Sequence, residues 1–408
     1  MDERRLYETI LGLAEPWYVA EVEVAVGAEE IRVRLEPRGD ATLVCPECGR
    51  SAPGYDRAEE RRWRHLDTCQ FRTIICARIP RVQCGEHGVR QVRVPWAEDR
   101  SRFTLLFEAL AIRVLRETTV AGLAALLRLS WEEAQGIFQR AVARGLARRA
   151  REPVGVLGVD ETSFQKRHEY VTVVADVKRG RVLWVGDHRR QETLEAFWDT
   201  LAPAERAGLE AVVMDMWEPY IAATRTALAE DPAPIVFDRY HVVQHLNHAV
   251  DLVRRAEQAE LRERGVDDLK RTRYVWLKGA ARRSPEDRQL IQQLRRAGYK
   301  VGRAWAIKEA AGKLWQYRSM SWALKYFRRW YGWAVRSRLA PVIRVAKMMK
   351  HYLAGILAYL RHPYTNALTE ALNAKIQEIK YRARGYRNRE NFRLAILFHC
   401  GGLDMNPC

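Results

Sequence analysis

Short runs of alternating apolar and polar residues occur near the start of the chain, at 22–26 and 31–35. Alternation with period two is typical of a half-buried strand, so residues 1–100 are predicted to contain a sheet. The residues that follow have the pattern of helices. The charged segment 148–153, which ends in a proline, predicts a domain boundary, and we therefore assign 101–152 to a second, helical domain.

Beyond that boundary, apolar runs alternate with helical segments. The predicted order is strands at 154–160, 170–176 and 181–186, a helix at 193–201, a strand at 211–215, a helix from 219, and a strand at 234–238. Three strands in hairpin order followed by two strands reached through helices is the element order of an RNase H-like domain. In that order the first and fourth strands are neighbours, so Asp160 and Asp215, which end them, are expected to meet at one end of the sheet.

The segment 242–364 contains no convincing strand and is rich in Arg, Lys and Trp, so it is predicted to be a long all-helical insertion. It divides an α/β core into 153–241 and 365–408. The second part begins with a helix whose apolar stripe, at spacing i, i+4, i+8 and i+11, can pack on the sheet: Leu368, Leu372, Ile376 and Ile379. Glu370 lies on the adjoining stripe and is expected to face the sheet edge.

The net charge of the chain indicates what kind of partner it binds. The 408 residues carry a formal net charge of +18, which predicts binding to a polyanion such as double-stranded DNA; a basic membrane-surface protein is the alternative. A hydrophobic content of 48% excludes wholesale disorder. There is no apolar run long enough for a membrane helix and no apolar signal stretch at the N-terminus, so we expect no membrane partner and a cytoplasmic, nucleoid-associated protein.

Cysteine spacing predicts a metal site in the N-terminal region. Cys45 and Cys48, followed by a glycine, and Cys84 and His87, also followed by a glycine, resemble the two knuckles of a zinc ribbon. The four side chains would hold one structural Zn²⁺, and a two-stranded insert must fill the long gap between the pairs. The alternative is four unrelated residues. Two other cysteines, Cys69 and Cys76, lack this context and are expected to be small core residues.

Between the knuckles lies a basic cluster with an aromatic residue, Arg-Arg-Trp-Arg-His at 61–65. Such a cluster can contact phosphates and stack on bases. A solvated strand face explains the same pattern, and the residues leave both interpretations open.

A helix-turn-helix pattern occurs at 119–146. A first helix ends near Leu127, and Ser130 with Glu133 forms a capping box at the start of a second helix. We expect Arg140 and Arg144 to point outward from that second helix, which would enter the major groove. An ordinary helical hairpin gives a similar pattern, and the net positive charge favours DNA binding.

Three acidic residues have the contexts of a metal-dependent phosphoryl-transfer site. Asp160 and Asp215 end strands, and Glu370 lies in a helix. Carboxylates in this arrangement can hold two divalent cations about 4 Å apart, which stabilise both the attacking and the leaving oxygen of a phosphodiester.

Several segments resemble the DDE transposases of bacterial insertion sequences, and in particular the ISL3 family. They are VDET at 159–162, MDMW at 214–217, FDRYHV at 237–242, TEALN at 369–373 and RGYRNRENFR at 384–393. The resemblance implies an RNase H-like core in which Asp160, Asp215 and Glu370 carry two Mg²⁺ (or Mn²⁺) ions. It also implies an accessory catalytic role for Asp238 and His241, although His241 could instead cap or pack at a helix start.

The resemblance implies a multidomain α+β transposase with a zinc module, a helix-turn-helix and a catalytic core. Such an enzyme binds the terminal inverted repeats of an insertion sequence, cuts one strand at each end and joins the freed 3′-hydroxyl to target DNA, as a homodimer in a synaptic complex. One departure is His87, where the family more often has cysteine. The alternatives are another RNase H-like nuclease and a transposase-derived DNA-binding regulator without catalysis.

Overall fold

The computed structural model describes residues 2–165, 169–230, 233–364 and 367–407, with the side chains of 367 and 368 excepted. The predicted stripe position Leu368 therefore lies outside the described side chains. The chain divides into two compact units. Unit 1 contains the residues up to Ala150 together with the segment from Leu403 onward, and unit 2 is Arg151–Gly402.

In its described residues, unit 1 combines a five-stranded sheet with four helices. Its elements are α1 (Glu3–Leu11), β1 (Trp17–Ala25), β2 (Glu30–Pro37), β3 (Gly54–Arg64), β4 (Arg72–Cys84), β5 (Gly88–Gln91), α2 (Leu105–Glu117), α3 (Val120–Leu126) and α4 (Trp131–Arg148), with a 3-10 turn at Val26–Ala28. The sheet order is β1-β2-β4-β3, and β5 pairs with β4. Strands β3 and β4 are antiparallel and fill the gap between the two knuckles, which confirms the predicted two-stranded insert.

The core of this sheet is aromatic. Trp63 is fully buried, and its ring lies edge-on to Trp96, which in turn lies edge-on to Trp17. Trp63 therefore stabilises the fold and is not available to stack on a base. Cys76 is buried in agreement with expectation, but the prediction for Cys69 is wrong: it is exposed in the turn between β3 and β4, at a positive φ of 48°.

The predicted helix-turn-helix is present as α3 and α4. Thr119 caps α3, and Ser130 and Glu133 form the expected capping box at the start of α4. The expectation that Arg140 and Arg144 point outward is wrong. Both side chains donate to the buried carboxylate of Glu108 on α2, because a buried negative charge requires cationic partners.

Unit 2 is built on a second five-stranded sheet. The sheet and its flanking helices are β6 (Val156–Gln165), β7 (Glu169–Asp176), β8 (Arg181–Asp187), α5 (Gln191–Trp198), α6 (Pro203–Ala207), β9 (Ala211–Met214), α7 (Glu218–Ala227) and β10 (Ile235–Phe237). The order is β10-β9-β6-β7-β8. Strands β6 and β9 pair in parallel, which confirms that the first and fourth strands are neighbours.

The end of β6 was predicted too early. The strand continues to Gln165, so Asp160 lies in its middle, whereas Asp215 directly follows β9 as expected. The reason lies in the tertiary structure: Thr162 and Phe164 are buried at alternate positions, and the segment pairs with the start of β7 in an antiparallel hairpin.

The rest of unit 2 is helical in its described residues. The helices are α8 (Arg239–Arg262), α9 (Arg273–Leu277), α10 (Pro285–Arg296), α11 (Lys300–Gly312), α12 (Met320–Val335), α13 (Ala340–His351), α14 (Leu353–Ala358), α15 (Ala367–Arg382) and α16 (Arg389–Cys400), with 3-10 turns at Ala280–Arg282 and Lys313–Gln316. Trp276 and Trp330 are buried in the same hydrophobic core as the inner face of the sheet. Within the described ranges, no helix has the length and apolar character that a membrane crossing requires.

Candidate active site and metal centre

The two knuckles of unit 1 bring four ligand atoms together. The Sγ atoms of Cys48 and Cys84 are 3.8 Å apart, and Nδ1 of His87 lies 3.9 Å from Sγ of Cys45 and 3.6 Å from Sγ of Cys84. A tetrahedral zinc ion with Zn–S bonds of about 2.3 Å holds its sulfurs about 3.8 Å apart. The donor set and its spacing therefore fit one structural Zn²⁺.

The backbone around the two knuckles positions the zinc ligands and favours the thiolate form of Cys84. Gly49 and Gly88 follow the two knuckles with φ of 70° and 68°, in the left-handed region that glycine adopts without a steric penalty. The backbone N–H of Glu86, together with His87, lowers the pKa of the Cys84 thiol to about 6. This favours the thiolate, which is the form of cysteine that binds metal.

The carboxylate of Asp160 is held in a poorly solvated position on β6. Its Oδ1 accepts a hydrogen bond from the backbone N–H of Glu161 at 2.8 Å, and its Oδ2 accepts one from the Asn373 side-chain amide at 2.7 Å. Burial, together with the negative charge of Asp215, raises the pKa of Asp160 to about 7. The two acids are therefore close enough to repel each other, as the strand pairing of β6 and β9 predicts.

Asp215 has a different partner. Nε2 of His241, in the first turn of α8, lies 2.9 Å from its Oδ1. The hydrogen bond to Asp215 raises the pKa of His241. The predicted site residue His241 thus contacts one of the two sheet carboxylates, and it lies at the start of α8 without being the cap of that helix.

The cap of α8 is Asp238. Its buried carboxylate accepts a hydrogen bond from the backbone N–H of Tyr240 at 2.9 Å. A carboxylate at this position pairs with an otherwise unpaired N–H, and its negative charge is stabilised by the positive end of the helix dipole. Asp238 therefore determines where α8 begins, and with it where His241 points.

Helix α15 runs alongside β6 and in the same direction. Thr369 packs against Gly158, where an added Cβ would lie 3.0 Å from the threonine hydroxyl. Further along, Asn373 donates to Asp160, and Gln377 donates to the Thr162 hydroxyl at 2.6 Å. Four residues of helix and two residues of strand advance by nearly the same distance, about 6 Å, so the contacts stay in register.

The third predicted acid, Glu370, lies on α15 one turn before Asn373, and its side chain is exposed. Among the described residues, one group of three or more metal-ligating side chains has all its ligand atoms within 4.8 Å of one another. That group is the Cys₃His cluster of unit 1. The structure therefore brings Asp160, Asp215 and His241 near one another. The carboxylate of Glu370 is outside this group, and its side chain is exposed, whereas the sequence predicted that it would face the sheet edge.

A fourth carboxylate was missed from the sequence. Glu161 is largely buried, pairs with Arg189 at 2.9 Å, and has its pKa raised by burial. The Arg189 guanidinium also stacks over the Trp217 ring at 4.1 Å. The adjacent acids in the Asp160-Glu161 pair were the available signal, but only the fold shows that both lie near Asp215.

The chemistry of this cluster fits a divalent cation. Two oxygen-donor carboxylates from adjacent strands lie together with poor solvation, and the pKa of Asp160 is raised as a result. A bound cation would neutralise that repulsion, and Mg²⁺ is bound in proteins by one or two carboxylates together with substrate phosphates. Asp160 and Asp215 could hold such an ion.

Comparison with known families matches three segments of the chain. Residues 157–396, more than half of the chain, match the ISL3 DDE family described as a transposase. Residues 92–142 match the helix-turn-helix domain of transposase family ISL3. Residues 42–87 match the zinc finger of the transposases of IS204, IS1001, IS1096 and IS1165.

Two curated relatives match over nearly their whole length. The transposase for insertion sequence element IS1001 of Bordetella parapertussis is 28% identical over 411 residues, which cover 97% of this chain and 98% of that protein. The transposase for insertion sequence element IS1557 of Mycobacterium tuberculosis is 28% identical over 413 residues, covering 94% and 92%. Together with the family matches, they confirm the resemblance that the sequence motifs indicated. The chain belongs to the ISL3 family of insertion-sequence transposases.

Proposed function

We propose that this protein binds the terminal inverted repeats of an insertion sequence and catalyses metal-dependent DNA cleavage and strand transfer. Its family membership makes it a DNA-processing enzyme with DNA as partner. The observation that carries the catalytic proposal is the convergence of Asp160 and Asp215 on paired strands, with His241 on one acid and the amide of Asn373 on the other. The sheet order of unit 2 supports an RNase H-like core interrupted by a helical insertion.

In this proposal Asp160, Asp215 and Glu370 hold two Mg²⁺ or Mn²⁺ ions, which when bound stabilise the attacking and leaving oxygens of a phosphodiester. The chain's own residues prepare that site. Asn373 and the backbone N–H of Glu161 orient the Asp160 carboxylate, and His241 orients Asp215. Asp238 acts through the cap of α8 and is a positioning residue.

Glu370 reaches the site by rotating its side chain. The contacts of Thr369 and Asn373 hold the first turns of α15 against β6, so the backbone of Glu370 stays beside the strand that carries Asp160. A glutamate has three side-chain torsions, so its carboxylate would be able to turn from solvent toward Asp160 if a bound cation offset the repulsion between the acids.

The proposed reaction has two steps. Water attacks the phosphorus at each end of the element, and the 3′-oxygen leaves as a free hydroxyl. That 3′-hydroxyl then attacks a phosphorus of the target DNA. A new phosphodiester bond forms while the target's own 3′-oxygen leaves as a hydroxyl, so the number of phosphodiester bonds does not change in this step. Because two ends are joined to one target, we propose a homodimer in the synaptic complex.

The test uses the DNA that flanks this reading frame, as labelled duplexes, with wild-type protein and Asp215→Asn. We expect wild-type protein to nick matching repeats at both flanks only when Mg²⁺ or Mn²⁺ is added, and to yield joined products with a target plasmid. Asp215→Asn should bind the same duplexes without cutting them. Equal cleavage by both proteins would refute the assigned site, and specific binding without cleavage in either metal would favour the DNA-binding regulator.

A further inference from the structure

The exposed side chains in the N-terminal half of α4 include no basic residue. The second helix of a helix-turn-helix enters the major groove with its N-terminal residues. In α4 the exposed side chains of this region are Trp131, Glu132 and Gln139, whereas Arg140 and Arg144 are bound to acids. Phosphate contacts supply most of the affinity of DNA-binding proteins, so the cations must come from elsewhere in unit 1.

A basic notch lies beside the N-terminus of α4. We define it by five arginines: Arg62 and Arg64 of β3, Arg72 of β4, Arg102, and Arg128 of the helix-turn-helix turn. Its volume is about 270 Å³, which is enough for a hydrated phosphate. Ile74, Phe103 and Leu129 form its apolar part, against which the arginine stems can lie.

Three of the five arginines are available to a ligand. Arg102 is exposed, and its guanidinium makes no hydrogen bond or ion pair with any residue that the structure describes. Arg62 lies 3.5 Å from Glu60, and Arg72 lies 3.8 Å from Glu30, both at the long end of ion-pair distances. The arginine side chains of both pairs are exposed, and ion pairs at the protein surface contribute little to stability, so a phosphate can replace the carboxylate as partner of either arginine.

The remaining charges of the notch serve the fold. Arg64 and Arg128 both pair with Asp67, and Arg128 also donates to the Gln70 carbonyl at 2.6 Å, which ties the helix-turn-helix turn to the turn between β3 and β4. The acid Glu133 accepts the Ser130 N–H in its capping box. The second acid, Glu30, accepts a bond from Arg32 at 2.8 Å. Neither acid neutralises Arg102 or Arg62.

We propose that the basic notch binds backbone phosphates of the DNA next to the groove that α4 enters. Arg62 and Arg102 are the principal contacts, and Arg72 is a further one. The zinc module and the helix-turn-helix then form one continuous DNA-binding surface, in which the zinc-bound sheet supplies charge and α4 supplies base contacts. This inference rests on DNA binding and not on the catalytic mechanism.

The experiment measures the salt dependence of DNA binding by full-length, zinc-loaded protein without added Mg²⁺. The probes are a fluorescein-labelled duplex from the DNA flanking the reading frame and a random-sequence duplex of equal length. The variants are Arg102→Gln, Arg62→Gln and the double variant. The matched control is Arg78→Gln, an exposed arginine on β4 about 20 Å along the strand from Arg72 at ~3.3 Å per residue.

Each lost phosphate contact should reduce the slope of log K against log salt by about 0.9, which corresponds to about 8-fold weaker binding at 0.1 M salt. Each single variant should lose the same amount of slope on both duplexes. The double variant should lose about twice as much slope as a single variant. Arg78→Gln should keep the wild-type slope. All variants should keep the zinc content and melting temperature of wild type, because the substituted side chains are exposed.

Three results would overturn the proposal: unchanged slopes, a loss confined to the flanking-DNA duplex, or an equal loss with Arg78→Gln. The first would remove the notch from the interface, the second would indicate base contacts, and the third would indicate a general charge effect. Failure of wild-type protein to bind either duplex would instead count against DNA binding by unit 1, and cleavage activity does not enter any of these outcomes.

Discussion

The burial of Asp160 predicts that this carboxylate costs the folded chain stability when no cation is bound. Its ordinary pKa is 3.8, and burial beside Asp215 raises the pKa to about 7. A difference of about 3 corresponds to ~4 kcal/mol at 1.36 kcal/mol per pKa unit. The substitution Asp160→Asn removes this charge and keeps the shape of the side chain.

The gain is reduced by one lost hydrogen bond. The carboxylate accepts from both the Glu161 N–H and the Asn373 amide, whereas an asparagine oxygen can accept only at one end. Losing a hydrogen bond to a charged group costs about 1.5 kcal/mol. We therefore expect Asp160→Asn to stabilise unit 2 by ~2–3 kcal/mol above pH 7, or about 5–10 °C in melting temperature for a unit of this size.

The pH dependence has a definite sign. Between pH 4 and pH 7 the folded wild type keeps a proton on Asp160 that the unfolded chain releases, so wild-type stability falls as pH rises through this window. The asparagine variant has no titrating group at this position, so its stability lacks this pH dependence. The difference between variant and wild type should therefore be near zero at pH 5, grow with pH, and level off above pH 7.

Calorimetric unfolding of zinc-loaded protein from pH 5 to 9, without added Mg²⁺ or Mn²⁺, measures this difference. Asp215→Asn is the matched control: it also removes one charge, but it leaves His241 without its carboxylate partner, so no comparable gain is expected. A destabilised Asp160→Asn at pH 8, or a difference that does not change with pH, would show that the carboxylate is well solvated and refute the reasoning.

Three further predictions concern other contacts. Asn373→Ala should weaken Mn²⁺ binding by about 10- to 100-fold, because the Asp160 carboxylate loses its orienting donor. Titration calorimetry measures this affinity. The control Gln377→Ala breaks the next contact along α15 and should leave the Mn²⁺ affinity unchanged. Cys84→Ser should lower the zinc content from one ion per chain toward zero by elemental analysis, and unit 1 should lose DNA binding while unit 2 keeps its melting transition. Gly145→Leu should lower the melting temperature of unit 1, because a Cβ there would lie 2.7 Å from Leu403, and an unchanged transition would show that the C-terminal segment does not stabilise α4.

Elements with local signals were predictable. The zinc knuckles place their ligands only three residues apart, so sequence spacing alone restricts the geometry. The capping box at Ser130 and Glu133 likewise depends on neighbouring backbone groups, and it appears where the sequence indicated. Strand identity in unit 2 followed from apolar runs, and the adjacency of β6 and β9 followed from the order of the elements.

Predictions that depended on distant contacts were less successful. The outward direction assigned to Arg144 was wrong because its partners, Glu98, Glu108 and the Met405 carbonyl, are remote in sequence. The end of β6 was misplaced for the same reason, since Thr162 and Phe164 become strand residues only by pairing with β7.

The sequence by itself therefore determined the candidates for the chemistry by residue type: the Cys₃His ligands, the acids Asp160, Asp215 and Glu370, and the basic clusters. Residue type and local spacing suffice for that. Tertiary structure alone decided which of these groups meet. It paired His241 with Asp215 and Asn373 with Asp160, and it used Arg144 in the core while leaving Arg102 exposed. The physical reason is that burial and charge neutralisation depend on neighbours brought from elsewhere in the chain.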